Sequence, residues 1–229
     1  MPSTLAWIVD GRSVAGTGAR AGLPGHLAAL LSPGERARLH GFLRPQRACE
    51  FLLGRLLMRQ ALMQASTCRL EEIEVEERPG AAPRVRIAGA LTDGIALPAV
   101  SLSHSGGWIA CAVGMDTQIG VDIEAPVAGR DLAALADHAF TPDELAWMAQ
   151  QADGEEDAFY RLWCAKEAEY KYRHNACAND ITQPSLHHER QAHYHLCICS
   201  TAHAGQHRRE DIALEALLDQ AIHKNTPPR

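Results

Sequence analysis

The chain has 229 residues, of which 46% are hydrophobic and 22% are charged, and its formal net charge is −6. This balance excludes disordered, collagen-like and coiled-coil proteins, and the negative charge argues against a protein that coats nucleic acid. No apolar run approaches the ~20 residues of a membrane-spanning helix, and no basic segment precedes an apolar core near Met1, so we expect neither a span nor an export signal. Seven cysteines without a framework spacing predict free thiols and a cytoplasmic location.

The first half of the chain alternates between strand-like and helix-like patterns. Ser32 is followed by a proline and, three positions on, by Glu35, which is typical of a helix start with an N-cap. Ser105-Gly106-Gly107 predicts a tight turn between two strands. In chain order, the predicted elements are a strand at 5–9, a helix from 32, a helix at 47–62, strands at 71–77 and 84–87, and a strand pair within 100–113.

The second half repeats this mixture. Thr141 precedes a proline and two acidic residues, which again predicts an N-cap and a helix start. The predicted elements are a strand at 119–123, a helix from 141, a helix at 157–172, a strand at 193–199 and a helix at 211–223. Because strands and helices are interleaved on both sides of residue 116, we expect an α+β fold.

The segment 120–124 places two carboxylates two residues apart on a predicted strand. Side chains at that spacing point the same way, so Asp122 and Glu124 share a face while Val121 and Ile123 face the core. Two carboxylates at this separation can bind one cation between them, and without a cation their like charges raise one pKa. A solvated acidic face on an edge strand has the same pattern, so this motif alone leaves both interpretations open.

The segment 163–171 lies within the predicted helix at 157–172. Trp163, Glu167 and Lys171 are four residues apart and therefore follow one helix face. A carboxylate and an ammonium one turn apart beside an aromatic ring can serve as a base and a phosphate clamp. The alternative is a surface Glu–Lys pair beside a core tryptophan, which would contribute ~0.3–0.5 kcal/mol to stability.

The segment 101–108 carries a histidine between two serines, just before a Gly-Gly turn. Ser103, His104 and Ser105 offer short hydrogen-bonding groups where the backbone can approach a ligand closely. An ordinary polar hairpin rim would have the same composition. A serine nucleophile is not favoured, because the chain contains no G-x-S-x-G motif.

In this combination and order, the three segments resemble the surfactin-type 4′-phosphopantetheinyl transferases. The matching residues are Ser-Leu-Ser-His-Ser-Gly at 101–106, Gly-Val-Asp-Ile-Glu at 120–124 and Trp-Cys-Ala-Lys-Glu-Ala-Glu-Tyr-Lys at 163–171. Upstream, residues 35–38 and 54–59 also resemble that family's N-terminal half. The resemblance covers roughly residues 32–172, and the second and third motifs are specific as a pair.

The resemblance implies two similar lobes related by a pseudo-twofold axis, with coenzyme A bound between them, and we expect the lobes at residues 1–115 and 116–229. It implies Mg²⁺-dependent transfer of the phosphopantetheine arm of coenzyme A to a serine of an apo acyl or peptidyl carrier protein. Adenosine 3′,5′-bisphosphate would be released. By analogy with the family we expect a monomer, with neither nucleic acid nor membrane as a partner.

The family's site residues carry over to matching positions of this chain. The resemblance implies that Asp122, Glu124 and Glu167 hold Mg²⁺ on the pyrophosphate, and that Glu167 is the base for the serine hydroxyl, directly or through metal-bound water. It also implies that Lys171 and His104 contact the phosphates. Ser103 would lie near the nucleotide.

The phosphates of coenzyme A also need basic partners, and residues 35–69 carry a local surplus of arginine. Arginine suits phosphate because its planar guanidinium can donate two hydrogen bonds at once. Arg38 falls where the family has a basic residue for the 3′-phosphate, and Arg47 is the second predicted coenzyme A contact. The arginines of this stretch are 36, 38, 44, 47, 55, 59 and 69.

Three features depart from the family pattern. Many relatives carry Gly-Lys-Pro near the end of the first lobe, whereas residues 80–83 read Gly-Ala-Ala-Pro, so the lysine is missing and Arg84 is the candidate substitute. The family continues after the helix into a Gly-rich loop, but residues 172–179 contain no glycine. Eight of the 12 histidines follow residue 173, and we interpret them as structural, since no tight ligand spacing appears.

Two other functions are compatible with these residues. The first is a catalytically degenerate relative that binds coenzyme A or a carrier protein without turnover. The second is a Mg²⁺-dependent phosphodiesterase that cleaves another pyrophosphate. The presence of Asp122, Glu124, Glu167 and Lys171 favours an active enzyme over the degenerate relative.

Overall fold

A computed structural model of the protein describes nine segments of the chain, and every structural statement refers to them. They are residues 4–15, 25–66, 68–78, 83–88, 98–114, 117–151, 154–175, 183–201 and 207–223. None of the helices in these segments combines the length and the apolar character that crossing a bilayer requires.

Groups of strands and groups of helices follow one another along the described chain, which confirms the mixed α+β character. The strands are β1 (Thr4–Asp10), β2 (Ile73–Glu76), β3 (Arg84–Ile87), β4 (Ala99–Ser105), β5 (Trp108–Gly114), β6 (Ile119–Glu124), β7 (Ser185–Arg190), β8 (His195–Ser200) and β9 (His207–Ile212). The α-helices are α1 (Arg12–Ala15), α2 (Pro33–Gly41), α3 (Pro45–Ser66), α4 (Leu132–Ala139), α5 (Pro142–Met148), α6 (Glu155–Asn175) and α7 (Leu214–His223).

The described strands form two sheets and a separate hairpin. The first sheet has the order β4-β5-β1-β9, in which β1 runs antiparallel to β5 and parallel to β9. The second sheet is antiparallel with the order β6-β8-β7, and β2 pairs with β3. Because β9 completes the first sheet, both ends of the described chain contribute to that sheet.

The two longest helices cover the outer faces of the two sheets. Leu53 and Leu57 of α3 pack with Val9 and Ile109 of the first sheet in one buried cluster. The opposite face of that sheet contacts the second sheet, where Val121 is part of the shared core. Alternation along each strand thus separates a face toward α3 from a face toward the other sheet.

The second helix lies very close to β6. Ala168 of α6 packs with Cys197 and Cys199 of β8 in a buried cluster. Gly120 of β6 permits this approach, since a Cβ atom there would lie only 2.0 Å from the carbonyl oxygen of Ala168. The α6 face of β6 therefore carries Gly120 and, two residues further on, Asp122.

Most predicted elements are confirmed, including α3, α6, the β4–β5 pair and β6. Gly106 and Gly107 form the β4–β5 turn with φ values of 57° and 87°, a region that favours glycine. The predicted start of the last helix was wrong, because Asp211 and Ile212 extend β9 beside β1 and the helix begins at Leu214. The strands β7 and β9 were missed, since their polar and largely exposed residues lack strand alternation.

Candidate active site

A cavity of about 300 Å³ lies between α3, β4 and the C-terminal part of α6. It is lined by all five residues that the sequence predicted as coenzyme A contacts, which are Arg38, Arg47, Ser103, His104 and Lys171. Apolar residues complete much of the wall, namely Phe42, Phe51, Met58, Val85, Val100, Leu102 and Ile109. The cavity therefore combines an apolar wall with cationic and hydroxyl groups, as expected of a site for a phosphorylated organic ligand.

One wall of the cavity holds a charged cluster around His104. Arg47 Nη1 lies 2.9 Å from His104 Nδ1 and 3.0 Å from Glu50 Oε2. Burial, and then the positive charge of Arg47, lowers the pKa of His104, which favours a neutral ring that accepts the arginine N–H. Glu50 was not among the predicted site residues, although a carboxylate three residues from Arg47 inside an apolar helix was a usable signal.

Arg38 lines the cavity next to a second carboxylate that was not among the predicted site residues. It forms an ion pair with Glu77, and its guanidinium lies over the ring of Phe51, 5.5 Å from the centroid. Arg55 Nε donates a second hydrogen bond to Glu77 at 3.0 Å. Burial alone would raise the pKa of Glu77, but the hydrogen bonds from Arg38 and Arg55 hold it below its ordinary value.

Arg55 and Arg59 are buried on α3 and form ion pairs with glutamates, and Arg55 also lines the cavity. Arg59 Nη1 donates to Glu35 Oε1 at 3.0 Å, and Arg55 Nε lies 3.3 Å from the same oxygen. Glu35 also accepts the backbone N–H of Ser32 at 2.7 Å, which completes the capping box of α2. The predicted helix-start carboxylate thus also compensates two buried arginines.

The carboxylates of β6 are held by serines of β4. Ser103 Oγ donates to Asp122 Oδ1 at 2.8 Å, and Ser105 Oγ donates to Glu124 Oε2 at 2.7 Å. The i, i+2 spacing on β4 matches the i, i+2 spacing on β6, so each strand presents its two side chains to the other. The prediction that Asp122 and Glu124 share one face is confirmed.

Serine side chains also join the two sheets at this point. Ser101 Oγ accepts the backbone N–H of Val121 at 3.0 Å, and Ser105 Oγ accepts that of Ala125 at 3.2 Å. These bonds satisfy backbone N–H groups that would otherwise need carbonyl partners on a neighbouring strand. The polar residues of the 101–105 segment therefore hold the edge of β6 against the cavity.

Lys171 connects α6 to both strands. Its ammonium lies 2.7 Å from Asp122 Oδ1, 3.0 Å from Ser103 Oγ and 3.1 Å from the carbonyl oxygen of Val121. The three contacts use the three N–H donors of an ammonium group. Because Lys171 and Ser103 also line the cavity, the cavity and the β6 carboxylates form one continuous site.

Of the two β6 carboxylates, Asp122 is buried and Glu124 is half-buried, and their charges are incompletely compensated. Asp122 is 3% exposed, and its Oδ2 atom has no hydrogen-bond partner. Burial raises the pKa of Glu124, the bond from Ser105 opposes this, and the negative charge of Asp122 adds to the rise. A divalent cation would satisfy the free oxygen and relieve the repulsion, so these two residues fit such an ion.

Glu167 lies on the face of α6 that carries Trp163 and Lys171, and its side chain is half-buried. Within the described segments, no three His, Cys, Asp or Glu side chains are arranged to hold a metal ion. The ion-pair partner of Asp122 is Lys171. The metal set of Asp122, Glu124 and Glu167 therefore stays a prediction.

The departures from the family pattern have mixed outcomes. Residues 80–82 of the Gly-Ala-Ala-Pro stretch lie outside the described residues, while Pro83 lines the cavity and Arg84 is exposed on β3. In the C-terminal half, His195 Nδ1 lies 3.3 Å from His188 Nε2. Burial, and then the charge of His195, lowers the pKa of His188 to about 4. The cysteines are free thiols in the described segments, and Cys177 lies outside them.

Comparisons with known proteins point to one superfamily. Residues 118–220 match the family model of the 4′-phosphopantetheinyl transferase superfamily. The chain is 31% identical over 151 residues to the 4′-phosphopantetheinyl transferase HetI of Nostoc sp., which covers 63% of this chain and 60% of the relative. It is 30% identical over 151 residues to a 4′-phosphopantetheinyl transferase of Bacillus subtilis, which covers 65% of this chain and 62% of the relative.

A third relative is the 4′-phosphopantetheinyl transferase psf-1 of Bacillus pumilus, 34% identical over 120 residues, or 51% of this chain and 46% of the relative. The chain thus spans less than two thirds of the length of each of these curated relatives. The matched region contains β6 and α6, which carry Asp122, Glu124, Glu167 and Lys171. The family match and the relatives' names thus show what the chain is similar to, namely 4′-phosphopantetheinyl transferases.

Proposed function

We propose that the protein is a surfactin-type 4′-phosphopantetheinyl transferase, with coenzyme A as donor and an apo acyl or peptidyl carrier protein as acceptor. The observation that carries the proposal is the continuity between the cavity and the β6 carboxylates, since Ser103 and Lys171 line the cavity and both bind Asp122. A ligand with several phosphates would meet cationic groups along the wall and carboxylates at its end.

We also propose the two-lobed pseudo-twofold architecture, with lobes at residues 1–115 and 116–229. A long helix on each sheet supports it, with α3 in the first segment and α6 in the second. The pairing of β9 with β1 means that the second segment would supply an edge strand to the sheet of the first. On the same resemblance we propose a cytoplasmic monomer.

The proposed metal ligands are Asp122, Glu124 and Glu167, and the proposed ion is Mg²⁺. The unpartnered Oδ2 atom of Asp122 and the raised pKa of Glu124 support the first two. Oxygen donors of this kind are the ligands Mg²⁺ prefers. When bound, the ion would supply charge neutralisation on the diphosphate and polarisation of its phosphorus.

The chain's own residues would carry the remaining work of phosphoryl transfer, which is mostly positioning and charge stabilisation. Glu167 would accept the proton of the carrier serine hydroxyl as that oxygen forms a bond to phosphorus. The bond from phosphorus to the adenosine bisphosphate oxygen would break, and the leaving group would keep the electron pair. Lys171 and His104 would bind the phosphate oxygens, with Arg38 and Arg47 as further coenzyme A contacts.

The test is to incubate the protein with Mg²⁺, coenzyme A and several apo carrier proteins, and then to measure the masses of carrier and nucleotide. We expect a mass gain of one phosphopantetheine on at least one carrier, with one adenosine 3′,5′-bisphosphate released for each. Cleavage of coenzyme A without carrier modification would instead support the phosphodiesterase. Binding of coenzyme A without either product would identify a degenerate relative.

A further inference from the structure

The charge of Asp122 is balanced by an amine. Lys171 Nζ lies 2.7 Å from Asp122 Oδ1 and uses its other two donors on Ser103 and Val121. Asp122 is nine-tenths buried or more, so this ion pair lies in a region of low dielectric where a unit charge has a large effect.

The pairing nevertheless leaves part of the carboxylate site uncompensated. Asp122 Oδ2 is buried and has no hydrogen-bond partner. Glu124 takes its hydrogen bond from the hydroxyl of Ser105, a neutral donor. Within the described residues, Lys171 is the one ion-pair partner of these two carboxylates, and it contacts Asp122 through a single oxygen.

Lys171 is also placed to leave this position. It is one of the residues that line the cavity, where Arg47 and His104 add positive charge and hydrogen-bonding groups. A lysine ammonium is a compact charge on a flexible four-carbon chain, so a small rotation of its side chain can exchange one anionic partner for another. A phosphate in the cavity would be such a partner.

We propose that Lys171 occupies the cation position at Asp122 in the free protein, and that it must give up this contact before a divalent metal ion binds fully to Asp122 and Glu124. This inference rests on the proposed function, and it adds an order of binding. The phosphorylated ligand enters first and attracts Lys171, and the metal ion then takes the place of the ammonium. The free protein would bind the metal ion weakly.

The experiment measures the affinity of the protein for Mn²⁺ alone at pH 8, by titration with electron paramagnetic resonance detection of the free ion. We expect Lys171→Met to bind Mn²⁺ roughly tenfold or more tightly than the original protein, because a positive charge beside the carboxylates is removed. The matched control is Lys166→Met on the same helix, whose ammonium pairs with Glu144 at 2.9 Å. We expect this control to leave Mn²⁺ affinity unchanged.

A Lys171→Met variant that binds Mn²⁺ no more tightly than the original protein would overturn the proposal, because Lys171 would then only anchor the carboxylate. Circular dichroism verifies that the variant folds. If methionine prevents folding, Lys171→Gln replaces it, because the amide of glutamine can still bond to Ser103 and Val121. The titration contains neither coenzyme A nor a carrier protein. A failed transfer assay and a failed Mn²⁺ result are therefore separate outcomes.

Discussion

Two groups of acidic residues bond to side chains that line the cavity, and they differ in how their charge is compensated. The ion-pair network consists of Glu35, Glu77, Arg38, Arg55 and Arg59. Each carboxylate oxygen of its two glutamates bonds to a guanidinium group.

In the β6 carboxylate pair of Asp122 and Glu124, one oxygen has no partner, and Lys171 is the only ion-pair partner that the described residues provide. Glu77 has a lowered pKa and Glu124 a raised one, although both are substantially buried. Burial alone thus does not identify a functional carboxylate. The compensated network holds the fold, and the undercompensated pair is where a cation is expected.

The largest expected effect separates catalysis from folding. Glu167→Gln should lower the transfer rate by about a thousandfold or more, because it removes a proposed base and metal ligand while the cationic wall of the cavity stays intact. Coenzyme A affinity and the free energy of unfolding should change little. The measurements are carrier modification by mass spectrometry, coenzyme A binding by calorimetry, and denaturant unfolding.

The matched control for this variant is Glu169→Gln. Glu169 lies on the same helix but pairs with the exposed Arg173. Glu169→Gln should keep the transfer rate within about twofold of the rate of the original protein, because a surface ion pair contributes little energy. Near-normal turnover by Glu167→Gln would contradict the role assigned to that glutamate.

The second prediction addresses the compensated network. Glu35→Ala leaves Arg59 buried without its partner and removes the capping bond to Ser32, so the free energy of unfolding should fall by about 3–5 kcal/mol. Urea unfolding monitored by circular dichroism measures this change. Glu71→Ala is the control, because Glu71 pairs with Arg69 on the surface and should cost less than about 1 kcal/mol. Equal losses in the two variants would mean that the network does not stabilise the fold as described.

The sequence predicted the parts of the site that depend on short spacings. The i, i+2 pattern at 122–124 correctly placed Asp122 and Glu124 on one face of the strand. The i, i+4 pattern at 163–171 correctly placed Lys171 on the α6 face that carries Glu167. Local periodicity determines which residues share a face, so these features needed no tertiary information.

The partners across elements could not be predicted in the same way. The bond between Ser103 and Asp122 depends on β4 and β6 lying side by side, and Glu77 reads in sequence as the acidic end of an exposed strand. β9 was missed because its residues are mostly polar, and its place beside β1 follows from sheet completion. Such contacts join residues that are far apart in the chain and have no local signature.

The third prediction concerns the distance between α6 and β6, on which the Lys171–Asp122 contact depends. Gly120→Ala places a Cβ atom 2.0 Å from the Ala168 carbonyl oxygen, so the helix must move away from the strand. We expect a loss of about 1–3 kcal/mol in the free energy of unfolding, as for other overpacked sites.

The control is Gly41→Ala, where an added Cβ would have no neighbour within 4 Å. This variant should be neutral or slightly stabilising, because alanine limits the unfolded chain more than glycine does. Thermal and urea unfolding measure both variants. If Gly120→Ala were as stable as Gly41→Ala, the tight contact between α6 and β6 would not contribute as described.

The smallest effect is expected at Arg38, which belongs both to the ion-pair network and to the cavity wall. Its side chain is 48% exposed and pairs with Glu77, yet it also lines the cavity. If Arg38 binds the 3′-phosphate, Arg38→Ala should lower the affinity for coenzyme A by about tenfold, because a charge-assisted hydrogen bond contributes roughly 1.5–3 kcal/mol. The affinity for 3′-dephospho-coenzyme A should fall by much less. Arg44→Ala, at an exposed position outside the cavity lining, should weaken neither ligand. Calorimetric titrations with both ligands decide the assignment. Equal losses of affinity for the two ligands in Arg38→Ala would show that this arginine does not recognise the 3′-phosphate. Its role would then be to stabilise Glu77 and the cavity wall.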